Sequence, residues 1–195
     1  MLEYDKVILT DCDGVLMNWE YAFNVWMKQH GYAHDPANLQ YDMSHRYDIK
    51  KSEMQKIVKS FNESAAIGFL PPHRDAMYYV DLLHRKHGYV FHMVTSLSLD
   101  PSAQELRIQN TRKLFGETAF EKFIFADCGA DKDEILAPYA NSELYWIEDK
   151  PENYDLGKRL NLNSILMEHG HNMNLPGYQI VKNWKEIYEI ITGER

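Results

Sequence analysis

Val7-Ile8-Leu9-Thr10-Asp11-Cys12-Asp13-Gly14-Val15-Leu16 is an apolar run that ends in two aspartates one residue apart, followed by glycine. Residues 7–10 are apolar and β-branched and are bounded by a turn signal, which predicts a short buried strand. The aspartates then fall at the carboxyl end of that strand, the edge of an open α/β sheet where ligands bind. Two carboxylates held this close repel one another. A divalent cation removes much of that cost, and Mg²⁺ favours all-oxygen surroundings. Asp-Gly is equally a turn signal, so this segment by itself leaves a plain turn open. Cys12 reads as a small buried spacer.

Outward from this segment, hydrophobic periodicity predicts a helix over 19–30 with Ala22, Phe23, Trp26 and Met27 on one face. Residues 31–46 are polar, aromatic and irregular. Ser52 and Gln55 have the spacing of a capping box, opening a helix that carries Met54, Ile57, Val58 and Phe61. Leu70-Pro71-Pro72 breaks the chain before a helix over 74–87, with Met77, Val80 and Leu83 inward and Gly88 at its stop. Strands follow at 89–94, 122–126, 144–147 and 164–167, with a short sixth at 179–181. Helices start at Pro101, near Asp131 and at Trp184. From Tyr89 onward strands alternate with helices, which gives an α/β fold: a doubly wound, three-layer parallel sheet. Far more chain lies between the first two strands than a crossover helix needs. Residues 1–16 and 70–195 are therefore expected to form the core, and 17–69 a small helical cap inserted after the first strand.

A chain of 195 residues is enough for one domain with an insert and a real core. With 29 acidic against 21 basic side chains the net charge is −8, which argues against a nucleic-acid polymer as partner. Glu3, Asp5 and Lys6 interrupt any leader-like amino terminus, and no apolar run reaches membrane-spanning length. Cys12 and Cys128 are too few for a disulfide scaffold, so a reducing, cytoplasmic setting is expected. Monomer and homodimer both stay open.

Chemistry-bearing residues recur just past strand ends: Asp11 and Asp13, then Thr95 and Ser96, then Lys132, then Glu148 and Asp149. Each has a plainer reading. Thr95 and Ser96 could cap a turn, Lys132 could be solvated, and Glu148 and Asp149 could favour a helix amino terminus. Their common placement is what points to a site. His84 and His87 share a helix face at a spacing metals can use, but without a partner nearby in sequence they read as a solvated pair. His169 and His171 lie in the loop after the fifth strand.

Four pieces make the chain resemble the haloacid dehalogenase superfamily of phosphotransferases along its whole length. They are Asp11-x-Asp13-Gly14-Val15, the apolar run into Thr95-Ser96, Lys132, and Tyr145-Trp146-Ile147 before Glu148-Asp149. The insert sits where that superfamily places its first type of cap. A narrower resemblance, to the 5'(3')-deoxyribonucleotidases, rests on Asp11 to Leu16, Phe69-Leu70-Pro71-Pro72, Val94-Thr95-Ser96, Arg112-Lys113-Leu114-Phe115-Gly116, Ile147-Glu148-Asp149-Lys150-Pro151 and Asn183-Trp184-Lys185-Glu186-Ile187. Glu148 stands where those enzymes more often have aspartate.

The resemblance implies a Mg²⁺-dependent phosphomonoester hydrolase acting on a small phosphorylated metabolite, with a nucleoside monophosphate as first choice. Asp11 is then the nucleophile that forms an aspartyl-phosphate. The ion is held by Asp11, Asp149 and the backbone carbonyl of Asp13, with Glu148 behind them. Lys132, Thr95 and Ser96 bind the phosphate. The Asp13 side chain protonates the leaving group and then activates water. An alkoxide needs that proton and a halide does not, so the second aspartate favours phosphatase over dehalogenase chemistry. Trp19 stands where the nucleotidases carry an aromatic against the base; its other reading is a core tryptophan. Tyr47 and Phe61 are weaker stacking candidates, with core or cap packing the plainer reading for both. Two alternatives stay open. One is a phosphatase or phosphomutase for sugar phosphates, and the other is a phospho-accepting or ligand-binding module. A signalling receiver domain fits less well, because its lysine comes at the final strand end, whereas Lys132 precedes Glu148 and Asp149.

Overall fold

The computed structural model describes residues 6–194; Glu3 and Asp5 lie outside the described residues. β1 (Val7–Thr10) is buried at every position. Its side chains alternate between two clusters: Ile8 enters one, Val7 and Leu9 the other. That is the period-two pattern of a strand covered on both faces. β2 (Val90–Ser96), β3 (Phe120–Ala126), β4 (Tyr145–Glu148), β5 (Asn163–Met167) and β6 (Ile180–Val181) complete the sheet. All pairings are parallel, in the order β3-β2-β1-β4-β5-β6. β1 lies against β2 through Val7↔Val90 and Thr10↔Met93, and against β4 through Ile8↔Tyr145 and Thr10↔Ile147. The strand order reverses at β1, so a crevice opens at its carboxyl end.

Between β1 and β2 the insert holds α1 (Trp19–Gln29), α2 (Met43–Tyr47), α3 (Lys51–Asn62) and a 3-10 turn (Ala65–Phe69). Phe23, Met27, Phe61 and Ile67 of this insert belong to the same buried cluster as Ile8, Phe91 and Ile147 of the sheet. The chain enters and leaves the insert side by side. The Asn18 N–H donates to the Pro71 carbonyl at 2.9 Å, and the His73 N–H to the Leu16 carbonyl at 2.8 Å.

The insert-side face of the sheet also carries α4 (Ala76–Arg85) and α5 (Pro101–Phe115). α6 (Asp133–Leu136) and α7 (Pro151–Arg159) cover the opposite face through Leu136 and Leu156, packed with Leu9, Val94 and Trp146. α8 (Trp184–Thr192) closes the first face with Trp184 and Ile187. α5 starts at Pro101, behind an Asp100 side chain that accepts the Ala103 N–H at 2.8 Å. No helix of the described residues is long and apolar enough to cross a membrane.

The structure corrects several local expectations. α3 begins at Lys51 with Lys50 at its cap and no side-chain cap bond, so Ser52 lies inside the first turn and the capping box does not form. α2 was not expected; five residues are too few to show a helical period. Thr95 and Ser96 lie within β2, where they pair with Phe125 and Ala126. Met77 is 44% exposed rather than inward, leaving Val80 and Leu83 as the buried face of α4. His84 and His87 are individually engaged: His84 with the Tyr89 carbonyl and the Thr118 hydroxyl, His87 with the Tyr188 hydroxyl.

His73, in the exit linker, is 5% exposed, and neither ring nitrogen has a hydrogen-bond partner among the described residues. Burial, followed by the nearby His169 and Arg74, pushes its pKa down from 6.5 to about 3. The folded chain therefore keeps this ring neutral over a range in which the unfolded chain protonates it. Stability is present above the unfolded pKa and is lost as pH falls from 6.5 towards 3, by at most ~1.4 kcal/mol per pH unit for this one group. His73→Phe is expected to flatten the pH dependence of urea unfolding in that window. A slope equal to wild type would remove His73 from this role.

Candidate active site

Asp11 is the first residue past β1, and its N–H continues the ladder to the Ile147 carbonyl at 2.9 Å. This hydrogen bond fixes the backbone, and the side chain is fixed twice more. One carboxylate oxygen accepts the Cys12 N–H at 2.7 Å, and the other lies 2.9 Å from Lys132 Nζ. The same ammonium lies 2.7 Å from Glu148 Oε1 and 5.1 Å from the centre of the Trp146 ring. Lys132 is 2% exposed and Glu148 is fully buried, so one buried cation stands between two buried carboxylates.

Glu148 has no capacity to spare. Its Oε1 accepts from Lys132 and from Asn153 Nδ2 at 2.7 Å each, and its Oε2 accepts the N–H groups of Asp149 and Lys150 at 2.8 Å each. Asp149 is different: its carboxylate has no hydrogen-bond donor among the described residues, and His169 Nε2 stands 4.0 Å away. Its backbone carbonyl is held by Asn172 at 2.7 Å and by His171 at 3.1 Å. His169 Nε2 is 2.7 Å from the Gly14 carbonyl. A carbonyl only accepts, so this nitrogen carries the ring proton.

The electrostatics divide accordingly. Burial, opposed by Lys132 and reinforced by Glu148 and Asp13, raises Asp11 to about 7. Burial, with Glu148 and Asp11, raises Asp149 well above the usual carboxylate range. Burial would also raise Glu148, but Lys132 and the other donors bring it below its ordinary value. Lys132 is depressed by burial and raised on balance by Asp11 and Glu148. One positive charge thus satisfies Glu148 and leaves excess negative charge shared by Asp11 and Asp149. Ligand oxygens of Asp11, Glu148 and Asp149 lie within 4.8 Å of one another. This is a donor set of hard oxygens with charge left to neutralise, the surroundings a divalent cation prefers. Since Glu148 is already saturated, Asp11 and Asp149 are the ligands on offer.

The structure brings the other expected residues to the same edge unequally. Asp13 is partly exposed and pairs with Arg107. Thr95 is 1% exposed, near the carboxyl end of β2. The Ser96 hydroxyl is already given to the Ala130 carbonyl at 3.1 Å. Cys12 is fully buried, and burial pushes its thiol up to about 12, which keeps it protonated. Phe61 is fully buried, packed edge-on against Trp19 and Phe23, so as a stacking candidate it is corrected to a packing residue. Tyr47 is 7% exposed, edge-on to Phe23, with its hydroxyl 2.7 Å from Asn24, and is corrected likewise. Trp19 stacks on Phe23 and gives its N–H to Asn62 at 2.9 Å.

Three participants were missed in the sequence. Asn62 bonds the Leu97 carbonyl as well as Trp19, tying the insert to the loop after β2. Arg107 is fully buried beside Asp13. Tyr41, 55% exposed, lies in the loop before α2 and faces His171 edge-on at 5.0 Å. Tyr41, His45, Lys150 and His171 help line an open cleft of about 900 Å³; Asp11, Asp13, Lys132 and Asp149 are not on its lining, and His171, bonded to the Asp149 carbonyl, links the two. Ala103, Arg107, Asn110 and Thr111 form one buried stripe on α5, and three of the four are polar, so hydrophobic periodicity gave no sign that this face turns inward.

No family model matches the chain, and no curated protein does. Solved structures match over nearly full length. A haloacid dehalogenase-like family hydrolase from Streptococcus pneumoniae aligns with a TM-score of 0.64 at 14% identity, covering 97% of this chain and 100% of that one. A protein described as a predicted phosphatase from Clostridium acetobutylicum gives 0.65 at 13%, covering 97% and 99%. The D,D-heptose 1.7-bisphosphate phosphatase from B. bronchiseptica, complexed with magnesium and phosphate, gives 0.55 at 10%, covering 97% and 99%. At these identities the likeness shows the fold: the six-stranded α/β architecture of haloacid dehalogenase-like proteins.

Proposed function

We propose that this chain is a phosphomonoester hydrolase working through an aspartyl-phosphate on Asp11. The observation that carries the reading is the buried carboxylate at the end of β1, held by Lys132 and set beside the unsatisfied carboxylate of Asp149. Structural neighbours that include phosphatases support it. An Asp11 oxygen attacks phosphorus, the bond to the leaving oxygen breaks, and the Asp13 carboxyl gives that oxygen its proton. The Asp13 carboxylate then takes a proton from water. The hydroxide so formed attacks phosphorus and returns Asp11 as the leaving carboxylate. Lys132 orients Asp11 and favours its ionised form for the attack, then offers its charge to the leaving carboxylate in the second step, and the Thr95 hydroxyl is available to a phosphoryl oxygen. Asp11, Asp149 and the Asp13 carbonyl would hold Mg²⁺, which when bound offsets the repulsion between nucleophile and phosphate.

The cleft that Lys150 and His171 share with the neighbourhood of Asp149 is large enough for a leaving group of nucleoside size, and Tyr41 is the aromatic on its lining, with Lys150 Nζ 5.8 Å from the ring centre. Nucleoside monophosphates are therefore the first substrate class. Asp35, Asp42 and Glu152 on the same wall favour a second reading, a sugar phosphate whose hydroxyls those carboxylates would accept. The test is release of inorganic phosphate from nucleoside monophosphates, sugar phosphates and p-nitrophenyl phosphate, with and without Mg²⁺. Turnover that needs the ion and ranks nucleotides first supports the reading. Sugar phosphates ranking first moves it to the second class, and no release from any phosphomonoester overturns it.

Gly14 supplies a further check. Its φ is +77°, and an added Cβ would lie 2.4 Å from Asp149 Oδ2 and 3.2 Å from His169 Nε2. Gly14→Ala must therefore displace the Asp149 carboxylate. Half-saturation by Mg²⁺ is expected to rise about 10-fold or more, the usual scale for disturbing a ligand's support. An unchanged Mg²⁺ titration would take Asp149 out of the ion's coordination.

A further inference from the structure

Arg107 is the one fully buried arginine among the described residues, and its guanidinium is spent on a single carboxylate. From the second turn of α5, Nη1 donates to Asp13 Oδ1 and to Cys12 Sγ, 2.7 Å away, while Nη2 lies 3.4 Å from Asp13 Oδ2. Its Nε has no partner among the described residues. Taking a guanidinium out of water is costly, and an apolar side chain of similar volume would fill the same space more cheaply. Asp13, by contrast, is 23% exposed at its side chain. The pair is thus asymmetric: the arginine is on the protein side and the carboxylate at the edge of the crevice. A planar, preorganised fork can hold a carboxylate in one orientation where a lysine would let it swing.

We propose that Arg107 is a positioning residue for Asp13: Nη1 holds Oδ1, which leaves Oδ2, 3.4 Å from Nη2, as the oxygen that carries the proton to the leaving group; this rests on the hydrolase reading above. Arg107 touches neither Asp11 nor Asp149; its bond to Cys12 Sγ reaches the nucleophile only through the Cys12 backbone, a route whose loss would weigh equally on both ester types. Proton delivery matters for an alkoxide and hardly at all for p-nitrophenolate, which departs unprotonated. kcat/KM, which reports the steps up to formation of the phosphoenzyme, separates the two.

The experiment measures kcat/KM for a nucleoside monophosphate and for p-nitrophenyl phosphate in wild type, Asp13→Asn, Arg107→Gln, Arg107→Lys and the double variant Asp13→Asn/Arg107→Gln. Arg107→Gln is expected to lower the alkyl ester by about 10²-fold, the usual worth of a placed acid, and the aryl ester by less than about 5-fold. Arg107→Lys should fall between, with the same split, and it supplies the answer should Arg107→Gln fail to fold. The double variant should lose little beyond Asp13→Asn, because the two residues act as one unit. Equal losses on both esters in the Arg107 variants, or losses that multiply in the double variant, overturn the proposal while Asp13→Asn still shows the split. If Asp13→Asn itself shows no split, the acid assignment falls, and the role of Arg107 with it.

Discussion

Asp11→Asn is expected to abolish turnover, by at least about 10³-fold, and to leave the fold intact. The amide has the carboxylate's shape and can still accept the Cys12 N–H. It cannot attack phosphorus to give an acyl phosphate. The fold should tolerate the change because the deleted charge is not a well-satisfied one: burial lifts Asp11 to about 7, against the pull of Lys132. Lys132 keeps Glu148 as its counter-ion at 2.7 Å. Phosphate release and trapping of the phosphoenzyme by intact mass read the first half of this expectation, and thermal melting the second. A variant that turns over at the wild-type rate would place the nucleophile elsewhere.

Lys132→Met is expected to damage both stability and rate. Removing one partner of a buried ion pair typically costs about 3–5 kcal/mol, because the remaining charge stays buried and unpaired. Here two carboxylates are left, Asp11 and Glu148, each already in repulsive contact with Asp149. Catalysis should fall by about 10²-fold or more from loss of an oriented positive charge at the phosphoryl site. A double variant separates the two effects. Lys132→Met/Glu148→Gln removes the orphaned charge, so urea unfolding should recover much of the lost stability while activity stays low. If Lys132→Met unfolds at the wild-type urea concentration, the lysine is not the clamp described here. If the double variant regains activity, its role is structural alone.

How far these features could be read from the sequence depends on what each residue does. β1, β4 and β5 are legible because both their faces are covered, and continuous apolar runs follow from that. The strand-end placement of Asp11 and Asp149 is legible for the same reason. α2 is not, since a helix held by its Asp42 cap and its packing against α3 carries no periodic pattern of its own. Arg107 and Lys132 show the limit of hydrophobic patterning: a charged side chain buried against a carboxylate looks, in sequence, like a solvated one. Lys132 could be picked out only through its order relative to Asp11, Thr95 and Asp149, and Arg107 had no such frame. Phe61 and Tyr47 take the plainer of their two readings, as packing residues. Aromatic richness marked them as binding candidates, yet the cluster of Trp19, Phe23 and Phe61 uses these rings to hold the insert together.

The side-by-side linkers have a consequence for how such a scaffold diversifies. Because Leu16 is bonded to His73 and Asn18 to Pro71, everything between them departs from and returns to one doorway. The sheet closes that doorway whatever lies beyond it, and lengthening an already closed loop adds only about 0.6 kcal/mol per doubling. Residues 17–69 can therefore change in length and sequence as an exchangeable cassette while the two backbone bonds at the doorway keep the sheet edge beneath it in register.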